Sequence, residues 1–186
     1  AAASRADPAP LLQLAQQLAD DFPIVSGHSG YCIERNDAYY SQPSMMVAYP
    51  LAMRFQGADL DYRLSDEEFV FLKTVNWLTI VGDPLLERIG GRAALCASIN
   101  EPEVIVHDAK FGLILQAGER PALGDVNRGE WLPSYRAVYR ALAELFAPTF
   151  TPAFHLTIPG DPHVDEERTE AWYRRFEREI ERAGSS

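Results

Sequence analysis

The stretch VNWLTIVGDPLLERIGG, Val75 to Gly91, constrains the fold more than any other part of the chain. A β-branched and aromatic run passes through a polar turn into a short apolar-polar pattern that closes on two glycines. Such residues fit a pleated, half-buried strand. Asp83 suits the cap of a helix and Pro84 its first turn, while Gly90 or Gly91 takes the left-handed position that ends it. The strand is expected to be central and to begin near Phe71, within EEFVFLKTVNWLTIV, Glu67 to Val81. Alternation then puts Val75, Trp77, Thr79 and Val81 on one face and Asn76, Leu78 and Ile80 on the other. Trp77 is an apolar anchor whose ring nitrogen still needs an acceptor, and Asn76 can tie down a neighbouring loop. Trp77, Asn76, Asp83, Gly90 and Gly91 are accordingly read as structural.

Around this corner the chain alternates helical and strand-like patterns without a regular βαβ beat. PLLQLAQQLADDF has Leu11, Leu14, Ala15 and Leu18 at helical spacing and predicts an amphipathic helix over about 9–21. PIVSGHSGYCIER reads as one bulged strand or as two strands meeting at a turn. MMVAYPLAMRF favours helix, but Pro50 requires it to kink or to begin late. EVIVHDAKFGLILQAG, Glu103 to Gly118, predicts a hairpin whose two runs are separated by His107–Lys110. Leu132, Tyr135, Val138, Tyr139, Leu142 and Phe146 mark one face of a strong helix. TPAFHLTI is a candidate edge strand, and Trp172, Phe176 and Ile180 recur every fourth residue of a final helix over about 165–183. The expectation is a single α+β domain over 1–186, with a largely antiparallel or mixed β-sheet packed against several α-helices.

No arrangement of residues specifies catalysis. GHSGY places Ser29 beside His28, but Gly30 follows the serine directly, which is not the Gly-x-Ser-x-Gly spacing of a nucleophile elbow. His28, His107, His155 and His163 form no metal-ligating spacing, and GDPLLERIGG lacks the lysine and glycine pattern of a phosphate loop. No catalytic, metal-binding or cofactor-binding residue is assigned, and no cofactor is implied. A small hydrolase using His28 or His107 with a nearby carboxylate stands as one alternative, and an adaptor of a secretion apparatus as another. Cys32 and Cys96 are expected to be buried free thiols, with a disulfide as the alternative outside the cytoplasm.

Charge narrows the partners. Seventeen basic residues against twenty-seven acidic ones give a formal charge of -10, which repels phosphate backbones and anionic lipid. Nucleic acid and membrane are therefore not expected partners, whereas a protein with a basic surface is. The densest acidic stretch is GADLDYRLSDEE, Gly57 to Glu68, where five carboxylates face only Arg63. Ala1 to Leu12 has no basic region leading into an apolar core, so it does not read as a signal peptide. Because the first residue is not Met, a removed leader and a periplasmic site remain the alternative to the cytoplasm.

Three pieces together resemble one family. VNWLTIVGDPLLERIGG is similar to its central signature, the hairpin follows and ends in ILQAGERPALGDVNRGEWLPSYRAV (Ile114 to Val138), and the Trp172–Phe176 segment is similar to its close. The family is that of the type VI secretion immunity proteins of the domain-of-unknown-function 3396 group, and the similarity covers roughly 27–176. It implies a bacterial protein that binds and neutralises a cognate effector toxin by covering its active surface, with no catalysis of its own, and, as for some members of the family, a toxin of nuclease type. A nuclease must carry positive charge to grip phosphate, so an acidic inhibitor is steered to it. Two candidate partner-binding patches follow. The first combines Tyr39, Tyr40, Asp59, Asp61, Tyr62, Asp66 and Glu67, in segments not expected to be core. The second is the loop carrying Glu119, Asp125, Asn127 and Trp131. A homodimer through the Tyr- and Phe-bearing helices is the remaining possible assembly.

Overall fold

A computed structural model describes residues 7–33, 42–60, 70–147 and 163–177. The corner that dominates the sequence sits at the centre of the fold. Strand β4 (Leu78–Gly82) is buried along its whole length and lies between β1 (Ser26–Ser29) and β6 (Gly112–Ala117), with β5 (Val104–Ala109) beyond β6. All three pairings in the order β1-β4-β6-β5 are antiparallel. A second sheet pairs β2 (Tyr31–Ile33) with β3 (Ala58–Leu60) in parallel. An α+β fold with mixed sheets and several packed helices is therefore observed.

The central strand is shorter than expected. Residues 71–77 are buried or half-buried but mostly irregular, because side chains compete for the backbone that a ladder would use. The Asn76 amide oxygen accepts from the Trp77 N–H at 2.8 Å, and Thr79 Oγ1 accepts from the Asn76 N–H at 3.3 Å. The expected alternation from Val75 onward holds only from Leu78 to Gly82. Trp77 is nonetheless the anchor it was read to be: 1% exposed, it donates from Nε1 to the Gly118 carbonyl at 2.9 Å. Asn76 Nδ2 ties down the preceding loop by donating to the Tyr31 carbonyl at 3.0 Å.

After β4 the chain forms α3 (Asp83–Arg88) and α4 (Gly91–Ser98), with Gly90 and Gly91 both left-handed between them at φ 87° and 88°. Asp83 does not cap. Gly82 occupies the cap position, and Asp83, inside the first turn, accepts from Arg92 at 2.9 Å, so its charge ties α3 to α4. The hairpin turn is also displaced: β5 runs on through His107 to Ala109 and pairs with Gly112, leaving Lys110 and Phe111 as a two-residue turn.

Helix α1 (Ala9–Asp21) packs against β4, β5 and β6 through Leu12, Ala15 and Ala19. Leu11, Leu14 and Leu18 face outward, so the buried stripe is the one beside the stripe read from the sequence. Alanine at the contact lets the helix lie close to the sheet, where Gln16 reaches His107 Nδ1 at 3.4 Å and Asp20 accepts from the Lys110 N–H at 2.7 Å. Helix α2 (Gln42–Arg54) continues through Pro50 in one piece, neither ending there nor beginning after it. It packs with α6 (Val164–Tyr173) around Ala48, Ala52, Leu60, Val164, Trp172 and Tyr173, a small core over the two-stranded sheet. Helix α5 (Pro133–Ala141) buries Tyr135, Val138 and Tyr139 in the main core, as its periodicity predicts. Cys32 and Cys96 form no disulfide with each other and, against expectation, are exposed rather than buried. The TPAFHLTI segment and Ile180 lie outside the described residues. No described helix is long and apolar enough to cross a membrane.

Candidate partner-binding surface

The chain passes from the main sheet to the small one at Gly30. A side chain there would collide with the Asn76 amide, so glycine permits the close crossing. This crossing places His28 of β1 next to Asp59 of β3. His28 Nε2 lies 2.7 Å from Asp59 Oδ2, and Lys73 Nζ donates to the same oxygen at 2.8 Å and to the Leu60 carbonyl at 2.8 Å. Burial by itself raises the Asp59 pKa, but the His28 hydrogen bond and charge and the Lys73 charge outweigh it and hold the carboxyl below the usual range. Asp59 is 3% exposed, and its Oδ1 has no hydrogen-bond partner among the described residues. The first patch therefore loses Asp59 as a surface contact: its charge is committed to joining β1, β3 and the segment before β4. Sequence reading placed it among exposed acids because its neighbours Asp61, Asp66, Glu67 and Glu68 made the whole stretch look solvated.

Beneath the same junction lies Arg175, which the sequence did not single out. It is 1% exposed and donates to the Gln56 carbonyl at 2.9 Å, the Trp172 carbonyl at 3.1 Å and Thr74 Oγ1 at 2.9 Å. Its guanidinium lies over the rings of Trp172 and Phe176. Burial lowers its pKa to about 10, partly countered by the Asp59 charge, so it remains a cation at neutral pH. Arg175 thereby fastens the end of α6 to the α2–β3 connection and to the segment before β4.

The remaining members of the first patch, Tyr39, Tyr40, Asp61, Tyr62, Asp66 and Glu67, lie outside the described residues. The strands that precede them are described: β2 and β3 are parallel, with Ile33 opposite Leu60, so the two strands end side by side.

The second patch is partly internal. Asp125, 4% exposed, accepts from Arg54 Nε at 2.9 Å and Nη2 at 2.6 Å and from the Asn127 N–H at 3.1 Å. The Arg54 bonds hold its carboxyl below the ordinary range against the effect of desolvation. The loop is further fixed where the Gly57 N–H donates to the Leu123 carbonyl at 2.8 Å. Asp125 is thus a fastening, while Glu119 and Asn127 are exposed and Trp131 is half-buried under Arg136. With Asp125 paired, the exposed Glu119 and Glu130 are balanced by Arg120 and Arg128. Beyond Trp131 an open groove of about 490 Å³ is lined by Arg136 and Arg140 among others, giving this side no negative excess.

Of the two histidines proposed for hydrolysis, His28 does lie against a carboxylate, but that carboxylate is buried at the junction of the two sheets and shared with Lys73. His107 lies between Gln16 and Gln116, with Nε2 2.8 Å from Gln116 Oε1. His163 contacts Glu166, and His155 lies outside the described residues. Among the described residues no group of three His, Cys, Asp or Glu side chains is arranged to hold a metal.

A family described as type VI immunity for VRR-NUC, TsiV, matches residues 4–176. The chain belongs to this family. The match runs from before α1 to the turn after α6 and so takes in nearly the whole described structure. The fold is also similar to that of Pseudomonas aeruginosa T6SS protein PA0821, with a TM-score of 0.72 at 23% identity, covering 91% of this chain and 49% of that one. The chain therefore spans about half the length of that protein. No curated protein matches it.

Proposed function

We propose that this immunity protein binds a cognate VRR-NUC effector in the cytoplasm and blocks it by covering the basic surface that grips nucleic acid. The single observation that carries the reading is the family match over residues 4–176. Charge supports the mode. With Asp59 paired internally, the stretch Gly57 to Glu68 still has Asp61, Asp66, Glu67 and Glu68 against Arg63 alone. The proposed binding face is built on the end of the two-stranded sheet where Ile33 pairs with Leu60, because the sequence that follows these two strands carries Tyr39, Tyr40, Asp61, Tyr62, Asp66 and Glu67. Tyrosines supply contact area there and carboxylates supply steering. The Glu119–Trp131 loop, electrically balanced and bordered by arginines, is the weaker match to a basic partner.

The test is calorimetric titration of the purified chain with the catalytically disabled product of the neighbouring toxin gene at two salt concentrations. Expected is tight one-to-one binding that weakens with salt, and a variant carrying Asp61→Lys, Asp66→Lys and Glu67→Lys that associates at least tenfold more slowly. No binding by two independent methods, with both proteins folded, would refute the pairing. Full-rate binding by the triple variant would move the interface elsewhere.

A further inference from the structure

Strand β5 is the last strand of the main sheet, paired with β6 on one side and with no other strand among the described residues. The direction of its backbone groups follows from the ladder. The Gly118 N–H donates to the Glu103 carbonyl at 3.1 Å, while the Ala117 N–H turns the other way, to the Trp77 carbonyl just before β4. Antiparallel pairing alternates, so Ile105, His107 and Ala109 direct their N–H and C=O at β6, and Val104, Val106 and Asp108 turn theirs outward. The Val104 N–H donates to the Glu101 carbonyl at 3.1 Å. The Val104 carbonyl and both backbone groups of Val106 and Asp108 meet no partner among the described residues. Nor is the strand blunted against pairing: VIVHDA contains no proline or lysine, and its register with β6 runs without a bulge from Val104 to Ala109. We infer that β5 is a docking edge, at which an extended, basic segment of the effector adds a strand to the sheet; this rests on the effector reading above.

Charge selects that occupant. Along the strand and its turn the exposed Glu103, Asp108 and Asp20 stand against Lys110, since Arg92 is already shared by Asp83 and Asp108. Glu101 is left out of this balance because it lines the neighbouring groove with Arg136 and Arg140. A second copy, itself at -10, would bring this acidic rim against its own equivalent, which opposes pairing. Lysines or arginines on an incoming strand would instead lie beside Glu103 and Asp108, and Ile105, 45% exposed, offers an apolar contact between them. The edge lies three strand spacings, about 14 Å, from β1, so it is a second point of attachment apart from the face at the end of β2 and β3.

Amide exchange followed by NMR, on the free chain and on its complex with the catalytically disabled toxin, tests this. In the free chain the Val106 and Asp108 amides should exchange quickly and those of Ile105 and His107, bonded to β6, slowly; in the complex the first two should slow by roughly tenfold or more. Asp108→Pro removes one outward N–H where an edge strand tolerates proline, and Asp108→Ala removes the same carboxylate but keeps the N–H. The proline variant should bind the toxin about tenfold more weakly than the alanine variant, with both folded by circular dichroism. If the proline variant does not fold, the exchange rates of the wild type decide alone. Equal affinity of the two folded variants, or Val106 and Asp108 amides that exchange as fast in the complex as in the free chain, overturns the inference while leaving effector binding in place. Protection of these amides in the free chain that grows with protein concentration assigns the edge to a second copy and overturns it too. Absence of toxin binding by the wild type removes the effector reading itself, and this inference with it.

Discussion

Replacing Asp59 by asparagine removes the one negative charge that holds both His28 and Lys73 inside the junction between the sheets. The Lys73 side chain is only 12% exposed and would lose the carboxylate to which it now donates. Breaking a buried pair by removing one partner costs about 3–5 kcal/mol, and the lower end applies because the His28 side chain, 25% exposed, is reached by water. For a chain of this size about 3 kcal/mol corresponds to a fall in Tm of roughly 6–12 °C. Urea unfolding should show it as a shift in midpoint at unchanged slope. The double variant Asp59→Asn, Lys73→Met should be more stable than Asp59→Asn by about 1 kcal/mol or more, because the half-buried cation that loses this carboxylate is removed with it. pH supplies a second readout. The folded-state pKa of Asp59 lies below the unfolded one, so its contribution is full above the unfolded value of about 3.9 and disappears as pH falls through the folded value. The gap between wild type and Asp59→Asn should therefore close in acid, below about pH 4. A single-variant loss under about 1 kcal/mol with strict additivity in the double variant would refute the claim that this carboxylate joins the sheets.

Two further outcomes follow from the same geometry. Gly30→Ala should destabilise the chain by more than about 2 kcal/mol in the same unfolding assay, because its methyl group would displace the Asn76 amide from its bonds to Tyr31 and Trp77; wild-type stability would show that the crossing can relax. Arg54→Ala should speed hydrogen exchange at the amides of Gly57 and Asn127, which lie on either side of the Asp125 fastening, while leaving those of β6 protected; uniform protection would show that the loop is held by its backbone bonds alone.

Much of this architecture is local physics and therefore legible in the sequence. The β-branched run before Gly82, the two glycines at the end of α3, the hairpin and the apolar face of α5 each depend on neighbours within a turn or a strand's length. Trp77 and Asn76 took the roles their chemistry required, since a buried indole N–H needs an acceptor wherever it lies. The family signature could be read for the same reason. Asp59, Asp125 and Asp83 read as surface, partner or capping acids, and each is instead bonded to a cation 9–71 residues away. Arg175 carried no local signal at all.

Only the tertiary structure could settle these points, because burial converts a charge from a solvated surface group into a tie that must be paired, and the pairing partner is chosen by topology. The same holds for α1: its pattern allows either of two adjacent stripes to face inward, and the sheet took the one with alanines, which lets the backbones approach closely. The sequence by itself determined the kinds of element and their order, and that the chain carries a net negative charge, but not where each element begins and ends. Which carboxylates are buried and paired was decided where the two sheets meet, and which leucines of α1 stay exposed was decided by its packing on the main sheet.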